Sequence, residues 1–196
     1  MNQYLLLITG GIVAYLMGSF SSAVWIGKWF YNTDVRTQGS GNAGATNTMR
    51  VLGTKAGIIV MVLDIAKAWG AVTLAHVFVS DTFTYSQLID YKIILGASAV
   101  LGHVFPVFTG FKGGKGVASL VGVILALYSP YIFIIVLVWF VLVVVITCYV
   151  SMASVTGAIL FAALAIFVFP VQNTYLIVLA ALIAVFVPLT HHKNIL

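Results

Sequence analysis

The sequence contains no glutamate, and its only acidic residues are four aspartates. Charged residues of both signs make up 7% of the 196 residues, whereas a soluble domain carries about 25%. So few charges cannot cover a surface that faces water, and 62% of the residues are hydrophobic. The composition therefore excludes an ordinary soluble enzyme and predicts a polytopic membrane protein without a separate soluble domain.

The chain also has only one cysteine, Cys148, which lies in an apolar run. A single cysteine excludes an intrachain disulfide and a zinc site built from cysteines. Its run holds no basic neighbour to activate the thiol, so we do not expect it to be a nucleophile. The shortage of acids leaves a net charge of +5, which favours anionic lipid headgroups or a phosphorylated substrate over nucleic acid.

Apolar segments alternate with polar stretches along the chain and predict an all-α bundle of seven transmembrane helices forming one domain, residues 1–196. The third and fourth segments are shorter than the roughly 20 residues that a spanning helix needs. The segments are roughly Tyr4–Lys28, Lys55–Phe78, Ile93–Phe108, Val117–Tyr128, Tyr131–Tyr149, Ser154–Phe169 and Thr174–Leu189.

Alternating these segments across a bilayer places most of the basic residues on one side. Seven of the nine lysines and arginines fall there: Lys28, Arg36, Arg50, Lys55, Lys112, Lys115 and Lys193. The positive-inside rule then puts the N-terminus outside and the C-terminus in the cytoplasm. Both glycine-rich loops of the chain share this cytoplasmic face with the C-terminal tail.

The first glycine-rich loop runs from Gly39 to Arg50. Closely spaced glycines let backbone N–H groups approach an anion, and the planar fork of Arg50 matches two phosphate oxygens. The neutral donors of the loop are Ser40, Asn42, Thr46, Asn47 and Thr48. We interpret the loop as a phosphate cradle, and the alternative is a flexible polar connection.

The second loop is Phe111-Lys-Gly-Gly-Lys-Gly116, and an apolar helix follows it at Val117. Glycines before a helix N-terminus, flanked by Lys112 and Lys115, favour an anion site. The loop is not a Walker P-loop, because Gly116 stands where the magnesium-binding hydroxyl would be. The alternative is a short cytoplasmic turn.

Histidines lie at the same face. His103 lies at the cytoplasmic end of the third segment. It is either an acid, a base or a hydrogen-bond donor to a substrate oxygen, or a satisfied interfacial residue. His191, His192 and Asn194 close the chain, and helical spacing brings His191 and Asn194 together. No third ligand accompanies the adjacent histidines, so we expect no metal.

Asp64 and Lys67 lie three residues apart in the second segment and share a helical face. Ionisable residues at this depth are costly and normally face the bundle interior. We favour a structural ion pair, and the alternative is that the pair orders the floor of the site.

The stretch from His76 to Asp81 fits the His-x-x-x-x-Asp pattern of a common acyltransferase superfamily. The predicted topology puts it across the membrane from both glycine-rich loops. We therefore interpret this match as chance.

These polar stretches together resemble the PlsY family, the integral-membrane acyl-phosphate:glycerol-3-phosphate acyltransferases of bacteria. The resemblance covers almost the whole chain and implies the same seven-span topology. The chain departs from the family pattern at three places. Lys193 stands where the family often has arginine, and Ser119 replaces a common threonine. The given sequence ends at Leu196, before the Gly and Glu that often follow in family members. The stretches similar to family motifs are Gly39–Arg50, Gly102–Ser119, His191–Ile195 and, more weakly, Tyr149–Ser154.

The resemblance implies transfer of a fatty acyl group from acyl phosphate to the 1-hydroxyl of glycerol 3-phosphate, giving lysophosphatidic acid and phosphate. Acyl phosphate is an activated mixed anhydride, so we expect direct attack without a covalent acyl-enzyme. The expected catalytic residues are His103, Lys115 and Asn194. The expected substrate-binding residues are Ser40, Gly41, Asn42, Asn47, Arg50, Lys112, Gly113, Gly114, Gly116, Ser151 and His191.

Roles follow for some of these residues. Lys112, Lys115 and the N–H groups of residues 113–116 are expected to stabilise the departing phosphate. Arg50, Ser40, Asn194 and Ser151 are expected to hold glycerol 3-phosphate. The proton acceptor is either His103 or the departing phosphate itself.

We expect no cofactor and no obligate protein partner, and we expect membrane lipids as surroundings, with the site on the cytoplasmic face of the bacterial cell membrane. A transporter of an organic phosphate anion is the main alternative, although permeation needs polar lining at both ends. A structural or chaperone-like subunit is a third, and it would need no phosphate cradles.

Overall fold

The structure, a computed structural model, describes residues 3–79 and 83–195, with side chains for residues 4–79 and 83–191. Most of these residues are helical, and no strand occurs within those two ranges. Short 3₁₀ turns lie at Val35–Thr37 and Val107–Thr109, and Leu164–Val168 is π-helical. The α-helices are α1 (Gln3–Ser19), α2 (Ser22–Tyr31), α3 (Ala45–Leu52), α4 (Thr54–Thr73), α5 (Ala75–Phe78), α6 (Tyr85–Val104), α7 (Val117–Leu127), α8 (Pro130–Thr147), α9 (Val150–Ala163) and α10 (Thr174–Ile195).

Several helices have the length and composition to cross a membrane. Among the described residues five qualify, and a sixth span results if α1 and α2, which are bent by 42°, are taken together. Helix α7 has 11 residues, fewer than the roughly 20 of a full span. The all-helical membrane fold is therefore confirmed, while the count of seven spans and the orientation of the termini stay predictions.

Two helix boundaries differ from the predicted segments. The first segment is not one continuous helix, because α1 ends at Ser19 and α2 begins at Ser22. The third segment is not short, because α6 begins at Tyr85. A capping box starts the helix: the Thr84 side chain accepts from the Gln87 N–H, and the Gln87 side chain accepts from the Thr84 N–H. Hydropathy missed its first turns because they are polar, although their backbone is helical.

The chain divides into two compact units, residues Met1–Ala126 and Leu127–Leu196. In the first unit, glycines let α1, α4, α6 and α7 approach closely. A Cβ at Gly18 would collide with the Ala99 carbonyl of α6, and one at Gly102 would collide with the Tyr15 carbonyl of α1. Gly122 of α7 sits in the same way against the backbone of α4. Such small-residue contacts hold membrane helices together through close packing, and here they bring the C-terminal end of α6 against α1.

The second unit is built from α8, α9 and α10, with α9 packed against both of the others. The Tyr128 hydroxyl donates to the Leu176 carbonyl at 2.6 Å, and its ring stands edge-on to Phe161 at 4.9 Å. Along α8 the described side chains are mostly exposed, and Ile132 is its buried residue. An apolar helix exposed on most sides suits contact with lipid.

Candidate active site

The first glycine-rich loop is held in shape by Asn47, whose side chain is buried at the start of α3. Its Nδ2 donates to the Val35 carbonyl at 2.7 Å, and its Oδ1 accepts from the Ser40 N–H at 2.7 Å. Gly39 and Gly41 have φ of 60° and 71°, a conformation that glycine adopts without strain. Asn47 thus braces the loop through backbone groups, and its predicted contact with substrate stays a prediction.

The second loop lies directly on the C-terminal end of α6. The Gly114 N–H donates to the His103 carbonyl at 3.2 Å, and a Cβ on Gly114 would collide with His103 Nε2. A Cβ on Gly113 would collide with the same carbonyl and meet the Pro106 ring at 2.7 Å. Both positions therefore require glycine for lack of space, and Gly116, with φ of 81°, turns the chain into α7.

The two loops touch each other. The Ala43 carbonyl of the first loop lies 3.1 Å from where a Cβ of Gly114 would be. Arg36, which precedes the first loop, donates from Nη1 to the Thr109 carbonyl at 2.6 Å and to the Lys112 carbonyl at 3.4 Å. The structure therefore brings the two predicted phosphate cradles together.

Arg36 is itself held by Asp34. Its Nη2 and Nε donate to the two carboxylate oxygens at 2.7 Å and 3.0 Å, a bidentate pair. The Arg36 side-chain hydrogen bonds hold the pKa of Asp34 below its usual value against the opposing effect of burial. Sequence reasoning missed this pair and counted Arg36 only as a cytoplasmic charge. An acid two residues before an arginine, in a chain with four acids, was the available signal.

A cavity of about 430 Å³ opens beside this pair. Among its lining residues only Lys112 was predicted as a site residue. The cavity is lined by Asp34, Arg36, Thr37, Thr109, Gly110 and Lys112.

The predicted cations differ in their surroundings. Lys115 is half-buried, and burial lowers the pKa of its ammonium. Lys112 and Arg50 are exposed, the latter in the last turn of α3. Ser40 and Gly41 are exposed as well, and Asn42, the remaining predicted substrate-binding residue of the first loop, is half-buried.

The predicted pair of Asp64 and Lys67 forms, with 2.9 Å between Nζ and Oδ1. The same carboxylate oxygen accepts from the Ser22 hydroxyl at 2.9 Å and lies 3.6 Å from His103 Nδ1. The pair therefore lies next to His103, the residue that the second loop contacts. Sequence reasoning had not connected Asp64 with Ser22 or His103, because these contacts join three different helices.

Three predicted residues belong to the second unit. Ser151 is half-buried in the first turn of α9, and His191 is buried near the end of α10. A carbonyl only accepts, so His191 Nδ1 donates to the Val187 carbonyl at 2.9 Å. The side chain of Asn194 lies outside the described residues. Contacts of these three with substrate stay predictions.

Two residues that the sequence set aside can be placed in part. His76 lies in α5, and Asp81 lies outside the described residues, so the interpretation of their spacing as chance stays a prediction. Cys148 is exposed and caps α8 in a left-handed conformation with φ of 60°.

Replacing Arg36 with alanine is expected to loosen the second loop, because its guanidinium joins that loop to Asp34. Losing hydrogen bonds to a charged group costs about 1.5–3 kcal/mol, enough to raise local opening at least about tenfold. Trypsin cleavage after Lys112 and Lys115, followed by mass spectrometry, measures that opening. Arg36→Lys keeps the positive charge but lacks the planar guanidinium, so trypsin should cleave it nearly as fast as the alanine variant. Cleavage of both variants at the wild-type rate would show that Arg36 does not secure the loop.

Known proteins share this sequence and fold. A glycerol-3-phosphate acyltransferase family model matches residues 8–196. A glycerol-3-phosphate acyltransferase of Listeria monocytogenes is 47% identical over 191 residues, covering 96% of this chain and 91% of that protein. One from Fusobacterium nucleatum is 45% identical over 185 residues, covering 94% and 90%.

Solved structures agree with these matches. The crystal structure of PlsY, an integral membrane glycerol 3-phosphate acyltransferase, in its glycerol 3-phosphate form has a TM-score of 0.84 at 35% identity. The match covers 96% of this chain and 90% of the chain in that crystal structure. The lysophosphatidic acid form has a TM-score of 0.81 at 34% identity, covering 96% and 89%.

The helical fold and these matches define an integral-membrane acyltransferase of bacterial type. The chain belongs to the PlsY family of glycerol-3-phosphate acyltransferases. The resemblance drawn from the sequence motifs is confirmed, and the enzyme is favoured over the transporter and the structural subunit.

Proposed function

We propose that this protein transfers a fatty acyl group from acyl phosphate to the 1-hydroxyl of glycerol 3-phosphate at the cytoplasmic face of the cell membrane. The observation that carries the proposal is the contact between the two glycine-rich loops, where the Ala43 carbonyl meets Gly114. Both substrates carry a phosphate group, so the reaction needs two anion sites side by side. In acyl-CoA the pantetheine arm separates the phosphates from the reacting thioester, so that donor would not place a phosphate beside its acyl carbonyl.

The first loop would hold glycerol 3-phosphate. Arg50 supplies a bidentate donor for its phosphate, and the side chains of Ser40 and Asn42 supply neutral donors in the loop that Asn47 braces. The Gly41 N–H donates to the Gln38 carbonyl at 3.1 Å, so the proposed part of Gly41 is to let the substrate approach the backbone closely. Ser151, His191 and Asn194 are proposed to complete the contacts with this substrate.

The second loop would hold the acyl phosphate. Lys115 and Lys112 supply positive charge, and the start of α7 directs backbone N–H groups toward the same region. The Gly114 N–H is donated to the His103 carbonyl. The proposal therefore assigns the phosphate to the N–H groups of Gly113, Lys115 and Gly116.

The reaction is a direct displacement. The 1-hydroxyl oxygen bonds to the acyl carbonyl carbon, the bond from that carbon to the phosphate oxygen breaks, and phosphate leaves with the electron pair. The hydroxyl proton passes to His103 Nε2 or to the departing phosphate. Holding both substrates in attack geometry supplies about 7–11 kcal/mol at best. A His103→Gln variant with near-normal turnover would assign the proton to the phosphate.

The donor is tested with purified protein and labelled glycerol 3-phosphate. Palmitoyl phosphate is expected to give lysophosphatidic acid, and palmitoyl-CoA at the same concentration is expected to give at least about tenfold less, a difference of 1.4 kcal/mol in the barrier. Arg50→Ala should raise the KM for glycerol 3-phosphate and leave that for palmitoyl phosphate nearly unchanged. Equal rates with palmitoyl-CoA would refute the donor while leaving the acceptor in place.

A further inference from the structure

The second loop contains a strained backbone turn. Phe111 has a φ of 59°, in the left-handed region, and Gly110 before it has a φ of 69°. Glycine adopts this conformation freely, whereas a residue with a Cβ is disfavoured in it by about five- to 30-fold. Within residues 3–79 and 83–195, the other two such residues, Asn32 and Cys148, cap the C-terminal ends of α2 and α8. Phe111 instead lies in a proposed substrate loop, and such strain persists only where surrounding contacts hold it in place.

Arg36 supplies these contacts from outside the loop. Its Nη1 donates to the Thr109 carbonyl at 2.6 Å and to the Lys112 carbonyl at 3.4 Å, one on each side of the turn. The Phe111 N–H donates to the Pro106 carbonyl at 2.9 Å. Hydrogen bonds from a charged donor favour a folded arrangement by about 10- to 150-fold, enough to outweigh the strain.

Asp34 holds the Arg36 side chain in the orientation that reaches the turn. Its two carboxylate oxygens accept from Nε at 3.0 Å and from Nη2 at 2.7 Å, and Oδ1 also accepts from the Arg36 N–H at 3.0 Å. This pairing fixes both the backbone and the guanidinium of Arg36 and aims Nη1 at the second loop. A planar, prearranged guanidinium loses less conformational freedom for each hydrogen bond that it forms.

We propose that Asp34 and Arg36 are positioning residues that hold Phe111 in its left-handed turn and so keep the second loop shaped for its substrate before that substrate binds. Lys112 follows Phe111 directly, and the two glycines that lie against His103 come next. A relaxed φ at Phe111 would redirect all of them. That the substrate of this loop is acyl phosphate rests on the proposed function.

A simpler account would have Phe111 act through its ring, which is apolar and 58% exposed, as an anchor at the membrane surface. Phe111→Asn separates the two accounts, because asparagine lacks the ring and tolerates the left-handed conformation better. Strain predicts that this variant has a more stable turn, whereas anchoring predicts a less stable one. Phe108→Asn is the matched control, since Phe108 is 54% exposed three residues earlier and its φ is not positive.

The stability of the turn is measured without turnover, by hydrogen exchange of the protein in lipid nanodiscs and mass spectrometry of peptides that contain the Phe111 amide. Asp34→Asn keeps an acceptor for the Arg36 N–H but loses the ion pair, and should raise exchange at least about tenfold. Phe111→Asn should slow exchange at least about threefold, alone or together with Asp34→Asn. Phe108→Asn should exchange at the wild-type rate.

Two results of this experiment would overturn the proposal. One is wild-type exchange in the folded Asp34→Asn variant. The other is unchanged or faster exchange in Phe111→Asn, which decides the question even if Asp34→Asn does not fold.

The KM values supply the second readout. Asp34→Asn should raise the KM for palmitoyl phosphate at least about threefold, because only molecules with a formed turn bind it. The kcat and the KM for glycerol 3-phosphate should stay within about twofold. Adding Phe111→Asn should lower the raised KM again. Equal rises in both KM values would indicate a general loss of structure and contradict the positioning role. Transfer from palmitoyl-CoA alone would instead refute the proposed donor and leave the exchange result standing.

Discussion

Replacing Gly114 with alanine is expected to lower kcat/KM by at least about 100-fold. The added Cβ collides with His103 Nε2 and stands 3.1 Å from the Ala43 carbonyl, so the loop must move away from both. A shift of about 1 Å in a positioned reacting group can cost about 100-fold in rate. The φ of Gly114 is not in the left-handed region, so the effect arises from lack of space and not from backbone strain.

Gly70→Ala is the matched control for this substitution. A Cβ there meets only the end of the Met17 side chain at 3.5 Å, an ordinary contact. We expect this variant to keep wild-type kcat/KM and Tm within error. The comparison uses the acyl-transfer assay together with thermal unfolding in detergent. Near-normal turnover of a folded Gly114→Ala variant would show that the contact with His103 is not needed for the reaction.

Replacing Lys115 with alanine is expected to lower kcat by about 100- to 1000-fold. Its half-buried ammonium is proposed to stabilise the charge on the departing phosphate, and removing one such group typically costs that much. Lys112 lies three residues earlier in the same loop and is exposed, so water screens its charge. Lys112→Ala should therefore cost about tenfold or less, and equal effects of the two variants would contradict the assigned difference.

The pH dependence gives Lys115 a second test. Burial lowers the pKa of its ammonium from the ordinary 10.5, so the charged form disappears at a lower pH than for an exposed lysine. Activity should be complete below that pKa and fall as the pH rises through it. Lys115→Arg should lack this decline, because a guanidinium stays charged up to about pH 12. The kcat/KM is measured against pH for both proteins, with the spontaneous hydrolysis of palmitoyl phosphate subtracted. The same decline in both would assign it to another group.

Hydropathy predicted the helical fold well and the helix boundaries less well. It found the apolar parts of α4, α8, α9 and α10, because lipid requires long apolar runs whatever packs against them. It missed the first turns of α6, where Asp90 and Lys92 lower the hydropathy of a segment that is nonetheless helical. It also missed the bend between α1 and α2, since a change of direction leaves the average composition unchanged.

The sequence predicted the two loops of the candidate site but not the hydrogen bonds that hold them in place. Glycine spacing and nearby cations are local features, so both loops could be recognised from the residues alone. The hydrogen bond from Arg36 to Thr109 joins residues 73 positions apart, and the bond from Ser22 to Asp64 joins residues 42 apart. No local pattern predicts such pairs, because each depends on which helix faces meet.

The amino-acid sequence by itself determined that this chain is a membrane protein with two glycine-rich, cationic loops. Those properties follow from the hydropathy, charge and backbone freedom of neighbouring residues. Only the tertiary structure decided that the loops touch, that Gly114 rests on His103, and that His103 faces Asp64. Close packing between helices, such as that of α1 against α6 at Gly18 and Gly102, sets distances that residue order does not contain.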